Sequence, residues 1–363
     1  MAAGLPTPCA VVDLAACRRN IARAVSYVDG DTGTRLRPHF KAHKCTALLT
    51  RQLAAGGCTG VTCATAGEAE VLAERGFDDI LVANEVVGGP ALAALGRAAG
   101  RSAVTVVVDD LAHVGLLAGQ ARRDGARFGV LIEIDVGLHR CGLPPGSERL
   151  LTIAGAVSAT DELTLRGLQG YEGQAVLLAS RAARRQHVWR AAKILAAERD
   201  RLSAAAHPCP VISGGGTGTL DLAVEAGVLT EIQAGSYVLM DSHYARLDLP
   251  FEQALFILST VVSRPRRGTA VIDAGLKAMT TEHGLARVIG DGLELTRLSD
   301  EHGWLKVAGD SSPRIGDRLM LVPSHVDPCL NLHDVLFAWA GQGSTLEAWP
   351  IDGRRTGRGE PVG

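Results

Sequence analysis

No stretch of this 363-residue chain stays apolar for the roughly 18 residues that a membrane helix needs. A membrane-spanning role therefore has no segment to carry it. The opening Met1-Ala2-Ala3-Gly4-Leu5-Pro6 lacks the charged-then-apolar pattern of a signal peptide. A formal net charge of -2 gives no electrostatic ground for nucleic acid or an anionic membrane as partner. The eight cysteines include no CxxC pair and no disulfide-like spacing, so a reducing cytoplasm is the expected location. No GxGxxG follows the first strand, which removes the dinucleotide fingerprint. There is no low-complexity linker and no repeat beyond a strand–helix rhythm. What is present, 47% hydrophobic and 21% charged residues, describes a soluble globular protein with ample core. The length suits one large barrel plus a smaller domain, or two ordinary domains.

Taken in order, Thr7-Pro8 reads as a turn and Cys9-Ala10-Val11-Val12 as a strand. Asp13 is a good N-cap for a helix running to about Val28, with Leu14, Cys17, Ile21, Val25 and Val28 as its buried stripe. Short apolar or β-branched runs then alternate with Ala/Leu/Arg-rich amphipathic ones. The predicted strands cover residues 35–41, 60–64, 80–84, 104–109, 129–135, 165–171, 210–213 and 231–235. Helical runs between them include 67–75, 90–99, 111–123 and 180–206. This alternation implies a parallel sheet, and eight units predict an α/β fold built on a closed, TIM-like (β/α)8 barrel over residues 14–250. An open, doubly wound sheet is the competing architecture. After Leu249-Pro250 the texture changes. Residues 257–262, 268–273, 293–296, 303–307 and 318–322 read as strands between Gly, Asp and Ser-Pro turns. They predict an antiparallel β domain over 251–363, to which the N-terminal strand within 5–13 returns. The tail beyond Trp349, with Gly353, Arg354, Arg355, Gly357 and Arg358, is expected to fray.

A barrel carries its active site at the C-terminal ends of its strands. Lys41 ends the first strand, Thr65 follows the second and Asn84-Glu85 the third. The fifth runs into Asp135-Val136-Gly137-Leu138-His139-Arg140 and the sixth into Tyr171-Glu172-Gly173. The seventh runs into Ser213-Gly214-Gly215-Gly216-Thr217-Gly218-Thr219 and the eighth into Ala234-Gly235-Ser236-Tyr237. Barrels commonly bind phosphate after strands seven and eight, where small residues let N–H groups approach an anion and hydroxyls add donors. Tight turns need glycine in any case, so either turn alone says little; two of them facing a lysine say more. Lys41 is either a solvated strand cap or an amine kept for chemistry. The phosphate site suggests pyridoxal phosphate held as a Schiff base, with desolvation and neighbouring Lys44 or Arg37 favouring the neutral amine. Other phosphate cofactors and sugar phosphates fit the same physics. Tyr171 and Arg140 suit the cofactor's ring and phenolic oxygen, or serve as barrel packing and a rim ion pair. His325 and Asp327, two apart, present imidazole and carboxylate to one side as a metal site requires; read alone, such a pair is more often a surface pair.

The run Arg37-Pro38-His39-Phe40-Lys41-Ala42-His43-Lys44 resembles the cofactor-lysine motif of the D-threonine aldolase and D-serine dehydratase family, pyridoxal-phosphate enzymes of the alanine-racemase fold (fold type III). The likeness continues through Asp135-Val136-Gly137, Arg140-Cys141-Gly142, Gly167-Leu168-Gln169-Gly170-Tyr171 and the turns after strands seven and eight. It extends to Asp273-Ala274-Gly275, Glu301-His302-Gly303 and Pro323-Ser324-His325-Val326-Asp327, nearly the whole chain. The resemblance implies that Lys41 carries the cofactor, with His39, Thr65 and Ser213 in its site. It implies that Gly216, Thr217, Gly218, Thr219, Gly235, Ser236 and Tyr237 hold the phosphate, and that Arg140 and Tyr171 line the ring. It also implies a divalent metal at His325 and Asp327, beside the cofactor, binding the substrate's β-hydroxyl. A His/Cys pair there resembles the zinc-dependent dehydratases; His/Asp resembles the aldolases, and hard ligands favour Mn²⁺ or Mg²⁺ over Zn²⁺. Cys329, two residues beyond Asp327, keeps a cysteine ligand open. One departure stands out. The aldolases share a histidine six residues after the tyrosine of strand six, where this chain has Leu177, with Gln174 nearer the tyrosine. A metal-bound water, His43 or His302 is then the candidate base. Asp273 and Lys277 read as β-domain scaffold or dimer contacts, and the family's layout implies a homodimer.

The expected function is therefore a pyridoxal-phosphate- and metal-dependent lyase acting on β-hydroxy-D-amino acids by retro-aldol or aldol chemistry, with glycine and an aldehyde as products. The alternative is a metal-dependent D-serine or 3-hydroxy-D-amino acid dehydratase giving a 2-oxo acid and ammonia, with Lys41 taking the α-proton. An amino-acid racemase and a non-enzymatic pyridoxal-phosphate carrier stay open. The β domain after Pro250 and the metal pair argue against the carrier.

Overall fold

The computed structural model describes residues 4–30, 32–309, 313–341 and 346–354. Arg355, Gly357 and Arg358, expected to fray, lie outside them. Two units emerge, one comprising Ala24–Lys41 and Leu48–Gly235, the other Met1–Arg23, Ala42–Ala47 and Ser236–Asp352. Strand β1 (Cys9–Asp13) leads into helix α1 (Leu14–Val28), which spans the boundary. Asp13 Oδ1 accepts the N–H groups of Ala15 and Ala16 at 2.8 and 3.1 Å, the N-cap that its position predicts.

The first unit alternates strand and helix as its pattern demands. In order come β2 (Arg35–Leu36), α2 (Thr46–Ala54), β3 (Val61–Cys63), α3 (Ala66–Glu74), β4 (Asp79–Glu85), α4 (Gly89–Ala99), β5 (Ala103–Val108) and α5 (Leu111–Asp124). Then follow β6 (Phe128–Glu133), α6 (Arg149–Ser158), β7 (Leu163–Gly170), α7 (Arg181–Ala204), β8 (Val211–Gly214), α8 (Leu220–Ala226) and β9 (Glu231–Ile232). Strands β2 to β9 form one eight-stranded parallel sheet in the order β2-β9-β8-β7-β6-β5-β4-β3. Bridges Leu36–Cys58 and His39–Thr62 join its two ends and close the barrel. Covered on both faces, its strands read as continuous apolar runs: in β5 Val104, Thr105, Val106, Val107 and Val108 are all buried. Asp110 caps α5 by accepting the Ala112 N–H at 2.8 Å, and Gly125 ends it at φ +63°.

The first barrel strand is shorter than its sequence predicts. Regular pairing stops at Leu36, because Pro38 has no N–H to donate. The chain stays attached through the Thr62 N–H on Pro38 O and the His39 N–H on Ala234 O, then turns into a 3-10 element, Phe40–Ala42, that carries Lys41. Arg37 is also not where the sequence reading put it. Its guanidinium reaches the first residues of β9 and β4, Glu231 at 2.7 Å and Asp79 at 3.0 Å, at the amino-terminal end of the barrel. It serves the barrel floor rather than the Lys41 amine.

The second unit holds β10 (Leu255–Ser263), β11 (Thr269–Ile272), β12 (Arg287–Val288), β13 (Leu293–Leu298), β14 (Gly303–Val307) and β15 (Arg318–Val322). Helix α9 (Val326–Leu330), β16 (Val335–Trp339) and β17 (Glu347–Pro350) complete it. Its nine-stranded sheet runs β13-β14-β11-β10-β1-β16-β17, with β15 beside β10 and β12 beside β15. The N-terminal strand does return here. It pairs antiparallel with β10 but parallel with β16, so the sheet is mixed rather than purely antiparallel. Leu5, Cys9, Val11 and Leu258 form a core cluster with Met320, Phe337 and Trp339 packed on it. Among the described residues no helix is long and apolar enough to cross a membrane.

Candidate active site

The carboxyl ends of the barrel strands gather most of the predicted residues. Lys41 is half-buried on its 3-10 turn and His39 is buried on the bridge to Thr62. The Thr65 hydroxyl caps α3 by accepting the Glu68 N–H at 3.2 Å. Asp135 organises the loop after β6, accepting the N–H groups of Gly137 and His139 and meeting the His139 ring at 2.7 Å. Burial raises its pKa, and these bonds outweigh burial and hold it below the usual carboxylate value. Arg140 follows in that loop, its guanidinium carbon 5.9 Å from the centre of the Tyr171 ring.

The glycine-rich turn after β8 is tightly walled. A Cβ on Gly218 would lie 1.8 Å from the Val176 carbonyl oxygen, and one on Gly216 would lie 3.0 Å from Val176 Cγ1 and 3.4 Å from Tyr171 Cε2. Gly215 takes φ +77°, a conformation that favours glycine. Close packing on Val176 and on the Tyr171 ring therefore leaves room only for bare backbone at these positions. Ser213, Thr217 and Thr219 are buried around it. Thr219 spends its hydroxyl internally, donating to Glu172 Oε1 at 2.6 Å, rather than presenting it to a ligand.

Beneath the rim lies a polar layer that the sequence reading missed. Gln233 donates to Gln169 Oε1 and to Ser213 Oγ, both at 2.9 Å, and Gln169 donates to Glu133 Oε2 at 3.2 Å. Glu133 ends β6 and Glu85 ends β4. Burial, then the charge of Glu85 and a hydrogen bond with it, push the Glu133 carboxyl up to about 8, with Arg140 and Gln169 pulling the other way.

The second unit carries His325, Asp327, His43, His302, Ser236 and Tyr237. His325 sits in extended conformation just before α9, with Asp327 in the first turn of that helix. His325 Nδ1 meets Glu282 Oε1 at 2.8 Å, and Nε2 lies 3.7 Å from Asp327 Oδ2. A carboxylate on one ring nitrogen fixes which nitrogen is offered to a metal. Burial raises the Glu282 pKa, but hydrogen bonds from its own backbone and from His325 hold it below the ordinary value. Asp241 locks the segment by accepting the N–H groups of His243, Tyr244 and Val326. Three imidazoles pack in series, His243 to His283 at 4.4 Å and His283 to His325 at 4.8 Å between ring centres. Burial, then the charges of His283, Arg246 and His325, lower the His243 pKa. Ser236 Oγ reaches Asp327 Oδ2 at 3.4 Å, while Tyr237 is buried against Phe251 with ring centres 5.6 Å apart.

Among the described residues no third His, Cys, Asp or Glu joins His325 and Asp327 in a metal-holding group. One imidazole and one carboxylate suit a hard cation that keeps water ligands, and do not make a closed zinc site. Cys329 does not complete one. Two residues along a helix point to different faces, and its buried thiol donates to Ala278 O at 3.5 Å. His43 is wholly buried, its Nδ1 accepting the Cys45 N–H at 3.1 Å, and Lys44 Nζ reaches Asn331 Oδ1 at 3.2 Å. His302 is exposed between β13 and β14, its carbonyl accepting the Ser299 N–H at 2.8 Å.

Comparison with known proteins gives matches over nearly the whole chain. The family model for the alanine racemase N-terminal domain matches residues 12–243, and one for a serine dehydratase domain matches 254–339. A D-threonine aldolase of Arthrobacter sp. is 39% identical over 97% of this chain and 93% of its own length. A 3-hydroxy-D-aspartate aldolase of Paracoccus denitrificans is 36% identical with the same coverage, 97% and 93%. Among solved structures, D-threonine aldolase from Filomicrobium marinum superposes with a TM-score of 0.93 at 37% identity, covering 97% of this chain and 96% of that one. A D-threo-3-hydroxyaspartate dehydratase with one cysteine changed to alanine, in the metal-free form, gives 0.87 at 31% identity, covering 96% and 98%.

Proposed function

The chain belongs to the D-threonine aldolase and D-serine dehydratase family, and from that premise we propose a lyase that divides a β-hydroxy-D-amino acid into glycine and an aldehyde. Pyridoxal phosphate, once bound, supplies the electron sink for the bond broken at the α-carbon. Lys41 would hold its carbonyl as a Schiff base, and the bare backbone at Gly216 and Gly218 would hold its phosphate. Arg140 and Tyr171 would flank its ring, and the Gln233–Ser213–Gln169 layer stiffens the strand ends that carry these groups.

His325 Nε2 and Asp327 Oδ2 would hold the divalent cation, Mn²⁺ or Mg²⁺, whose chemistry is Lewis-acid polarisation of the β-oxygen. Glu282 orients His325 from behind, and the His243–His283 stack keeps its ring in place. The observation that carries cleavage at carbon over loss of water is the partner of His325: Asp327 faces it, and the Cys329 thiol is turned to Ala278 O. A homodimer in the cytoplasm completes the proposal, in keeping with eight free cysteines. Chelation should abolish turnover of the holoenzyme and added Mn²⁺ should restore it. Turnover indifferent to chelator contradicts the metal assignment.

A further inference from the structure

Glu172 is the buried acid that this chemistry leaves without a task. It follows β7 by two residues and is 3% exposed. One side of it faces a small apolar cavity lined by Val188, Ala191, Leu195, Ala223 and Leu229. The other side faces the glycine-rich turn. Thr219 Oγ1 donates to Glu172 Oε1 at 2.6 Å and accepts the Gly216 N–H at 3.2 Å, while the Thr219 N–H returns to Gly216 O at 3.1 Å. The backbone N–H groups of Gly215 and of Glu172 itself are also directed at the carboxyl. A carboxyl buried this deeply keeps its place only by such bonds. One acid thus ties the first and last residues of the turn through a single hydroxyl. We propose that Glu172 is a positioning residue for the phosphate of the cofactor: through Thr219 it sets the backbone of the 216–219 turn in its anion-binding shape before any ligand arrives. A turn fixed in advance loses less conformational freedom on binding, so Glu172 acts on cofactor affinity and not on the reacting atoms.

The inference rests on the pyridoxal-phosphate reading above, and its test keeps the two apart. Apoenzyme is titrated with pyridoxal phosphate and, separately, with pyridoxal, which lacks the phosphate, following absorbance of the Lys41 adduct. Wild-type protein should prefer the phosphorylated form strongly. Glu172→Ala and Thr219→Val should each weaken pyridoxal phosphate about tenfold or more, as loss of one buried hydrogen bond allows. Both should leave pyridoxal binding within about twofold of wild type, since the turn does not touch it. Glu172→Gln, whose amide oxygen still accepts the Thr219 hydroxyl, should restore most of the preference. Should Glu172→Ala not fold, the near-isosteric Thr219→Val and Glu172→Gln decide the matter. A wild-type preference that survives both Glu172→Ala and Thr219→Val overturns the proposal alone. A wild type that binds the two compounds equally overturns the phosphate site, and the proposal with it.

Discussion

Raising the pH should weaken this fold through one residue, and Glu133→Gln should remove that sensitivity. Glu133 is 4% exposed, accepts from Gln169 and lies against Glu85, so its carboxyl titrates at about 8 in the folded chain. In the unfolded chain a glutamate titrates near ~4.3. Below that value both states are protonated and the contribution is complete. Between the two values the folded state keeps a proton that the unfolded state has released, so stability falls as pH rises. Above about 8 nothing more is lost. One full proton sets a ceiling of about 1.4 kcal/mol per pH unit, or about 4 kcal/mol over three units. Urea titrations of apoenzyme at pH 5, 6.5 and 8 read this directly, as the difference between wild type and Glu133→Gln. The wild-type midpoint should decline more steeply with pH than that of the variant. Parallel profiles would refute the assignment of a retained proton to Glu133.

Other consequences can be measured separately. Arg37→Met leaves buried Glu231 facing Asp79 without a cation, and should cost about 3–5 kcal/mol by urea unfolding; a loss below about 1 kcal/mol would show that the floor does not depend on the triad. Lys41→Ala should remove the visible absorbance that pyridoxal phosphate gives with wild-type protein, and an unchanged band would place the adduct on another lysine. Glu282→Ala frees His325 Nδ1 and should weaken Mn²⁺ binding by about 10–100-fold with the fold intact, whereas unchanged affinity would separate Glu282 from the metal.

The barrel is legible in the chain because parallel strands covered on both faces repeat a local signal. β5, with five consecutive buried residues, is visible without any partner. β2 misled in length, since apolar character runs on through Phe40 while the backbone hydrogen bonding is decided by Pro38. β12, two residues long, and the β16–β17 pair escaped notice because short strands acquire definition only from neighbours distant in sequence. The site divides in the same way. Lys41, the 216–219 turn and the His325/Asp327 pair each announce themselves within a few residues. Glu282 and Glu172 act at sequence separations of 43 and 47, and nothing local marks an acid as a partner. Cys329 shows the converse: adjacency in sequence suggested a ligand, and about half a turn of helix sends its thiol elsewhere.

The most direct test of the lyase assignment is product analysis with purified protein, pyridoxal phosphate and Mn²⁺, offered D-threonine, D-serine and D-3-hydroxyaspartate in separate reactions. Glycine together with an aldehyde is the expected result, and would also show that Leu177 is compatible with carbon–carbon cleavage. A 2-oxo acid with ammonia would contradict it and place the chain with the dehydratases despite Asp327.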